Sequence, residues 1–329
     1  MSGGRRLKVN LRDKVAGVVF GTAIGDALGY PVEFMSMPEI ESLGRVKDYL
    51  CCEKIDGTLA APYSDDTQMF RAVLEGLLKA GRSADLEQAA LTVAGEFIKW
   101  SKSPENNRSP GNACMAGCRN LASGKYWRES GKPESGGCGS AMRSMAYGIW
   151  FWNEPKKAAL WAGEHTLVTH GHPMARAGAA AVAAGTAYAV KDSEIDGLVR
   201  IMINAAKDYD ASTSQMLEDS YTYAKDESVQ AKDVLDKWRG WRGDEAVAAS
   251  LFCVLRHPDD FEKAVLEAVN SPGDSDSLGA ITGAMLGARV GIKGIRKDWI
   301  ERIEKTNQLK ELAERAFTTI EEKNIGGLQ

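Results

Sequence analysis

GDSDSLGAITGAMLGARVG, which runs from Gly273 to Gly291, decides how this chain folds. Glycine recurs there at every fourth residue, and the same spacing returns near the start of the chain in AGVVFGTAIGDALG, from Ala16 to Gly29. Residues i and i+4 lie on one face of an α-helix, and each helical glycine costs about 1 kcal/mol relative to alanine. Close approach of helix backbones offsets such a cost, so the spacing predicts two central, tightly packed helices. The charged residues Asp26, Glu33 and Arg289 argue against the alternative, small-residue pairing of helices in a membrane.

The first of these stretches begins with carboxylates and hydroxyls. The run from Asp274 to Ser277 precedes the glycine-spaced helix, where backbone N–H groups and the helix dipole favour oxygen anions. A second cluster, Ser64-Asp65-Asp66-Thr67, joins a loop to another apolar helical run. Helix capping explains one aspartate or serine at such a place, and it stays open as an alternative for each cluster alone. Carboxylates that lie close together repel each other, and a bound cation would offset that repulsion. Hard divalent ions such as Mg²⁺ take oxygen ligands. If the fold joins the clusters, they form an all-oxygen metal centre.

Helical patterns dominate the rest of the chain, and β-branched alternation is scarce. We therefore predict an all-α fold, as a single compact domain over residues 11–325 after a disordered lead-in over residues 1–10. The helical pattern before Asp274 also disfavours a phosphatase of the haloacid dehalogenase type, whose Asp-x-Asp pair follows a buried strand. The clearest predicted helices are Leu86–Trp100, Pro173–Val190, Glu245–Leu255 and Phe261–Val269. The clearest predicted loops are Asp56–Tyr63, Ser101–Gly111 and Lys125–Gly139.

Composition narrows the classes of function. A chain of 329 residues that is 44% hydrophobic can bury a large core. Its formal charge of -4 and pI near 5.8 provide no basic field, so we expect no generic nucleic-acid binding. The six cysteines lack the paired spacing of a zinc site or a disulfide framework, so we expect free thiols and a cytoplasmic location. The chain shows no signal-peptide pattern and no charge-free apolar window of about 18 residues, so we expect no membrane span.

Four further segments offer groups to a ligand. Glu33 stands between apolar neighbours, and burial there would raise its pKa and suit acid–base work; a solvent-facing glutamate is the alternative. The segments Ser109–Ala113 and Gly136–Arg143 hold glycines before a helix, which lets backbone N–H groups approach phosphate; ordinary loops are the alternative. His170 precedes an alanine-rich helix, where a capping or core role is the alternative to catalysis.

Taken in order, these motifs resemble the ADP-ribosylglycohydrolase family, which includes dinitrogenase reductase-activating glycohydrolase. The motifs are GVVFGTAIGDALGYPVEF, SDDTQM, SPGNA, GSAMR, THGHP and GDSDSLGAITGAMLGARVG, and the resemblance spans about Val15 to Gly291. It implies an all-α orthogonal helical domain with a cleft for two Mg²⁺ or Mn²⁺ ions. By matched position, the implied metal ligands are Ser64, Asp65, Asp66, Asp274, Asp276 and Ser277. The implied substrate-binding residues are Gly111, Asn112, Gly139, Ser140, Met142 and His170.

The chain departs from the family pattern at three places. Ser277 stands where threonine is commoner, and it keeps an oxygen ligand. Cys138 stands where asparagine is common, and the Ser109-Pro110 region lacks the aspartate that the nitrogenase-regulating members carry. Which carboxylate activates water therefore stays open among Glu33, Asp65 and Asp66.

The resemblance implies a metal-dependent hydrolase that removes ADP-ribose from a modified acceptor. Arginine on a protein is the first acceptor we consider, followed by serine, a nucleic-acid base or a small molecule. The alternative is an immunity or regulatory protein that binds and blocks an ADP-ribosyltransferase, with or without hydrolysis. In that case the loops Asp48–Tyr63 and Lys125–Gly137 and the stretch 192–242 would carry the contacts. The predicted partners are an ADP-ribosylated protein or small molecule and, under the alternative, a cognate transferase.

Overall fold

Helices account for nearly all regular structure in the computed structural model, which describes residues 9–191 and 194–325. The first nine are α1 (Leu11–Gly29), α2 (Met37–Ser42), α3 (Asp65–Ala80), α4 (Leu86–Ser101), α5 (Asn112–Ala122), α6 (Trp127–Ser130), α7 (Met145–Trp150), α8 (Pro155–His165) and α9 (Pro173–Lys191). They are followed by α10 (Ile195–Lys207), α11 (Ala211–Lys225), α12 (Ala231–Lys237), α13 (Gly243–Arg256), α14 (Phe261–Val269), α15 (Ser275–Val290), α16 (Lys297–Arg302) and α17 (Thr306–Ile325). The all-α prediction is confirmed.

The glycine-spaced helices α1 and α15 run antiparallel through the core with their glycine faces in contact. A Cβ atom on Gly17, Gly21 or Gly25 would overlap the backbone carbonyl of Gly287, Gly283 or Gly279, in that order. Both helices are buried along nearly their whole length. The prediction of two central, tightly packed helices is confirmed, and the two helices prove to be each other's partners. Backbone packing at this distance stabilises the pair enough to offset the low helix propensity of glycine.

The helical stretch Leu11–Val32 is long and apolar enough to cross a membrane, with a mean hydropathy of 1.4. Inside the protein, however, 83% of this window is buried. The Lys14 ammonium group donates to the carbonyls of Ala189 and Val190 at the end of α9, at 3.0 and 2.9 Å. The stretch therefore has the surroundings of a core helix.

The helices predicted from periodicity are present with small shifts at their ends. They appear as α4, α9, α13 and α14, and Pro173 opens α9 as expected for a first helical turn. The Asp260 carboxylate caps α14 by accepting from the Lys263 N–H at 3.1 Å. Within the predicted loop Lys125–Gly139, four residues form the short helix α6.

A β-hairpin contains the only two strands among the described residues. Strands β1 (Glu53–Ile55) and β2 (Thr58–Ala60) pair antiparallel, with Ile55 opposite Thr58. The prediction of a plain loop over Asp56–Tyr63 is wrong for β2. Asp56 and Gly57 both have positive φ, at 50° and 84°, which is the backbone of a two-residue type I′ turn. The Asp-Gly pair was the available sequence signal.

Two predictions concern the chain start and the cysteines. Residues 1–8 of the predicted lead-in lie outside the described residues. Asn10, at its end, caps α1: its side-chain oxygen accepts from the Asp13 N–H at 2.8 Å. All six cysteines are free thiols, as predicted.

Candidate metal centre and substrate cleft

The two acidic clusters meet at the floor of one cleft of about 500 Å³. The Ser277 hydroxyl, in the first turn of α15, donates to Asp66 Oδ2 in the first turn of α3 at 2.8 Å. These two residues are 211 positions apart in the chain. The residues that line the cleft are Glu33, Phe34, Asp65, Asp66, Ser109, Pro110, Gly111, Asn112, Ala113, Cys114, Ser135, Gly137, Cys138, Gly139, Met142, His170, Trp241, Asp274, Asp276 and Ser277.

The buried carboxylate of Asp26, on α1, holds the start of α3 in place. Its Oδ1 accepts from the Ser64 N–H at 2.8 Å, and its Oδ2 accepts from the Thr67 N–H at 2.9 Å and the Thr67 hydroxyl at 2.5 Å. Ser64 in turn caps α3 by accepting from the Asp66 N–H at 3.2 Å. Asp26 lies on α1, which packs against α15. Its hydrogen bonds therefore hold the start of α3, with one acidic cluster, near α15, which begins with the other. Sequence reasoning used Asp26 only against a membrane role, although an acid inside an apolar glycine-rich helix is itself a signal.

The other cluster surrounds the start of α15. Asp274 precedes the helix, and its N–H donates to the Arg239 carbonyl at 2.9 Å. Asp276 lies in the first turn, where Oδ1 accepts from the Ser277 N–H at 3.0 Å. Both carboxylates are almost fully buried. One helix cap uses one side chain, so capping alone does not account for this cluster.

Glu33 completes a compact group of carboxylates. One oxygen each from Glu33, Asp274 and Asp276 lies within 4.8 Å of the other two. The Oε2 atom of Glu33 is buried without a hydrogen-bond partner among the described residues. Burial first, and then the charge of Asp276, raises the pKa of Glu33 to about 9. The half-buried position of Glu33 favours the predicted acid–base environment over a solvent-facing glutamate.

Burial and neighbouring charge also disfavour the ionised form of the remaining carboxylates in the cluster. Burial, followed by the charge of Asp276, raises the pKa of Asp65, Asp66 and Asp274 well above the ordinary value. The same two causes raise the pKa of Asp26 to about 7. No lysine or arginine is among the described residues that line the cleft. The oxygen-rich, anionic donor set and the orphaned Glu33 atom therefore fit hard divalent cations, which would replace the missing positive charge.

The predicted substrate-binding loops border the same cleft, with one exception. Gly111 precedes α5, and its N–H donates to Asp65 Oδ2 at 3.3 Å; Asn112 is the first residue of that helix. Gly139 packs against Cys114 and His170, where a side chain would clash. Ser140 does not line the cleft, because its hydroxyl donates to the Ala175 carbonyl at 3.2 Å.

His170 is buried at the edge of the cleft, and Met142 lies at its wall. Nδ1 of His170 shares a hydrogen bond of 2.7 Å with the Thr169 hydroxyl. Burial, with a smaller effect of the Arg143 charge, lowers the pKa of His170 to about 3. The imidazole is therefore neutral at physiological pH. A neutral ring favours a role in ligand contact over a role as a general acid.

Three features of the site escaped the sequence reasoning. The Cys138 thiol lies 2.6 Å from Asp274 Oδ2, so the position noted as a departure from the family pattern touches a candidate metal ligand. The rings of Phe34 and Trp241 stack at the mouth of the cleft, with centroids 5.0 Å apart. The Arg108 guanidinium donates to the Tyr63 carbonyl at 2.9 Å, just before the first acidic cluster. Each contact joins segments far apart in the chain, which no local pattern reveals.

Comparisons with known proteins agree with this geometry. The family model described as ADP-ribosylglycohydrolase matches residues 7–325. The chain is 23% identical to the ADP-ribosyl-[dinitrogen reductase] glycohydrolase of Rhodospirillum rubrum, over 90% of this chain and 92% of that protein. It is also 23% identical to the ADP-ribosylarginine hydrolase Tri1 of Serratia proteamaculans (strain 568), over 95% of this chain and 81% of that protein.

A solved structure shares the fold. The structure titled "ADP-ribosylglycohydrolase-related protein complex" superposes with a TM-score of 0.73 and 22% identity, covering 94% of this chain and 99% of the other. Because the family model spans nearly the whole described chain, it includes α1, both acidic clusters and the glycine loops. The chain therefore belongs to the ADP-ribosylglycohydrolase family.

Proposed function

We propose that this protein hydrolyses the N-glycosidic bond between ADP-ribose and an arginine side chain of a modified protein. The observation that supports this most is the meeting of the two acidic clusters beside Glu33, in a cleft whose described lining includes glycine loops and neither lysine nor arginine. Family membership supports the hydrolytic removal of ADP-ribose. The relative from Serratia, named as an ADP-ribosylarginine hydrolase, supports arginine as the acceptor.

The family is metal-dependent, and we propose two Mg²⁺ or Mn²⁺ ions as the occupants of the acidic cluster. Bound divalent cations would polarise an oxygen ligand and offset negative charge on the substrate. Ser64 differs from the other proposed ligands, since its hydroxyl accepts from the Asp66 N–H and does not line the cleft. The proposed ligands are Ser64, Asp65, Asp66, Asp274, Asp276 and Ser277.

The reaction adds water across the bond between the ribose carbon and the guanidine nitrogen. The hydroxyl group goes to the carbon, and a proton goes to the departing nitrogen. Glu33 is our first candidate to move the proton, because its pKa is raised to about 9 and one of its oxygens has no partner among the described residues. Asp66 and Asp65 each have an oxygen occupied, by the Ser277 hydroxyl and the Gly111 N–H, and they are the alternative proton acceptors.

The glycine loops are proposed to hold the ribose and the diphosphate. Gly139 lines the cleft, and the absence of a side chain there lets Cys114 and His170 pack against its backbone. At Gly111 the backbone N–H already binds a carboxylate oxygen of Asp65. Asn112 and Met142 line the same cleft and would contact the same ligand.

The test is release of ADP-ribose from an ADP-ribosylated arginine protein, with Mg²⁺, with Mn²⁺ and with EDTA. We expect release with either metal and none after chelation. The Asp274→Asn variant should lose release, whereas the control Asp219→Asn, on α11 and outside the described lining of the cleft, should behave as wild type. Release that continues at the wild-type rate in EDTA or in Asp274→Asn contradicts the metal-centre proposal. The same assay on serine-linked and base-linked ADP-ribose decides the acceptor.

A further inference from the structure

A second cavity, of about 530 Å³, opens beside the mouth of the cleft. Phe34 and Trp241 line both cavities, so the stacked aromatic pair forms the wall between them. The two rings are nearly parallel, with an interplanar angle of 21°. Phe34 is 68% exposed and Trp241 is 39% exposed. Large aromatic side chains exposed at a cavity rim are typical of surfaces that bind a partner.

Phe34, whose ring lies at this rim, has an unfavourable backbone conformation. Phe34 has φ of 70°, in the left-handed region that bulky residues avoid. Its N–H donates to the Gly273 carbonyl at 2.9 Å, and Gly273 directly precedes the candidate ligand Asp274. Strain of this kind persists where surrounding contacts impose it, and it concentrates at binding sites. Because Glu33 precedes Phe34, the second cavity begins one residue from the proposed proton-transfer group.

We name the second cavity the acceptor groove, and the rest of its lining mixes apolar and charged side chains. Met35, Met37 and Pro38 supply the apolar part. Four carboxylates, Glu39, Glu41, Asp233 and Asp236, face two cationic side chains, Lys232 and Arg239. Arg239 is paired with Asp236 at 2.7 Å, which leaves three carboxylates against Lys232. The groove therefore favours a partner with positive charge.

We propose that the acceptor groove binds the polypeptide segment on either side of the modified arginine and prefers segments with lysine or arginine next to it. This proposal rests on the proposed function, in which the cleft holds ADP-ribose and the acceptor protein extends out of the cleft through its mouth. A polypeptide suits the mixed lining, because its side chains cover the methionines and aromatic rings while its cations face the carboxylates. A second nucleotide does not suit it, since its phosphates would meet the unbalanced negative charge.

The experiment compares three substrates: ADP-ribosylated free arginine, a peptide with one ADP-ribosylated arginine flanked by lysines, and the same peptide flanked by glutamates. The enzymes are wild type, the double variant Glu41→Lys/Asp233→Lys and the charge-matched control Glu218→Lys/Glu311→Lys. Glu41 and Asp233 are exposed in the groove, and the control residues are exposed on α11 and α17, outside the described cavities. Rates are measured at low salt and at about 0.5 M salt.

We expect wild type to have a KM about tenfold lower for the lysine-flanked peptide than for the glutamate-flanked one at low salt. The double variant should raise the KM for the lysine-flanked peptide about tenfold, with kcat unchanged and with free ADP-ribosylarginine hydrolysed as by the control. High salt should shrink these differences. Equal KM values for the two peptides in wild type, or a double variant that matches the control, would overturn the proposal.

Failure of the proposed function is distinguishable from failure of the groove. If wild type releases ADP-ribose from none of the three substrates, the arginine assignment fails. The groove is then judged by fluorescence anisotropy of the two labelled peptides with the same three proteins. Tighter binding of the lysine-flanked peptide to wild type than to the double variant supports the groove, and equal binding overturns it.

Discussion

Removal of divalent cations should destabilise this protein more strongly as the pH rises, because the cluster then holds ionised carboxylates without compensation. An aspartate whose pKa is raised on folding binds its proton more tightly in the folded state. Stability is therefore greatest below the unfolded pKa and is lost as pH rises through the folded pKa. For Asp26 the pKa rises from 3.8 to about 7, so the loss accumulates between about pH 4 and pH 7. That difference corresponds to about 4 kcal/mol for this single buried group.

Asp276 is the carboxylate to remove in a variant, because its charge raises the pKa of Asp26, Glu33, Asp65, Asp66 and Asp274. Oxygens of Glu33, Asp274 and Asp276 lie within 4.8 Å of one another. At an effective dielectric constant of about 20, two unit charges at this separation repel by about 3 kcal/mol. An Asp276→Asn side chain keeps an oxygen for the Ser277 N–H. The variant should therefore be more stable than wild type without metal at pH 8, and it should lose most of the metal-dependent gain.

The assay is thermal unfolding at pH 5, 6.5 and 8, with EDTA or with Mg²⁺. At one hundred times the Kd, a single ion adds about 2.7 kcal/mol to stability. For a chain of this length, that gain corresponds to a rise in Tm of about 4 °C. We expect the rise to be large at pH 8 and small at pH 5, where protons compete with the metal. The reasoning is refuted if Mg²⁺ raises the Tm equally at pH 5 and pH 8, or if Asp276→Asn keeps the full gain.

Three further predictions follow from individual contacts. Gly25→Ala should lower the free energy of unfolding by about 3 kcal/mol, because the added methyl overlaps the Gly279 backbone; Gly95→Ala on α4, where a Cβ meets nothing, should instead stabilise by about 1 kcal/mol. Denaturant midpoints measure both, and similar midpoints would contradict the packing argument. Asp66→Asn should reduce kcat at least about 100-fold while circular dichroism stays that of wild type, since its oxygens face the cluster; a variant with normal turnover would contradict its role. His170→Gln should lower kcat/KM without changing the shape of its pH profile between pH 5 and 8, because the pKa of His170 is lowered to about 3; loss of a limb of the profile would contradict a neutral histidine.

The sequence was most informative where a regular period meets a chemical constraint. Glycine at every fourth position can only form one face of a helix, so the packing of α1 and α15 was predictable. The carboxylates at Asp65, Asp66, Asp274 and Asp276 were predictable as a group because their density exceeds what capping needs. The family resemblance then placed both clusters on one cleft, and the hydrogen bond from Ser277 to Asp66 agrees with that placement.

Features that depend on contacts between distant loops escaped prediction. In the sequence, Asp26 is a single acid within an apolar helix. Its hydrogen-bond partners Ser64 and Thr67 lie 38 and 41 residues away. The stack of Phe34 on Trp241 depends on two loops that a third loop, around Gly273, holds together. No local sequence pattern distinguishes such loops from ordinary ones. The ligand roles, the domain limits and the blocking of a transferase stay predictions.

The glycine faces of α1 and α15 have a consequence for how the chain tolerates changes in length. Because Gly17, Gly21 and Gly25 each fit against one partner glycine, the two helices have a single axial register. Deleting one residue between Gly17 and Gly25 would rotate one end of α1 relative to the other by about 100° and shift it by about 1.5 Å. Either the glycine contacts or the hydrogen bonds that Thr67 donates to Asp26 would then be lost. Insertions and deletions should therefore be far rarer in this segment than in the hairpin or the α11–α12 connection.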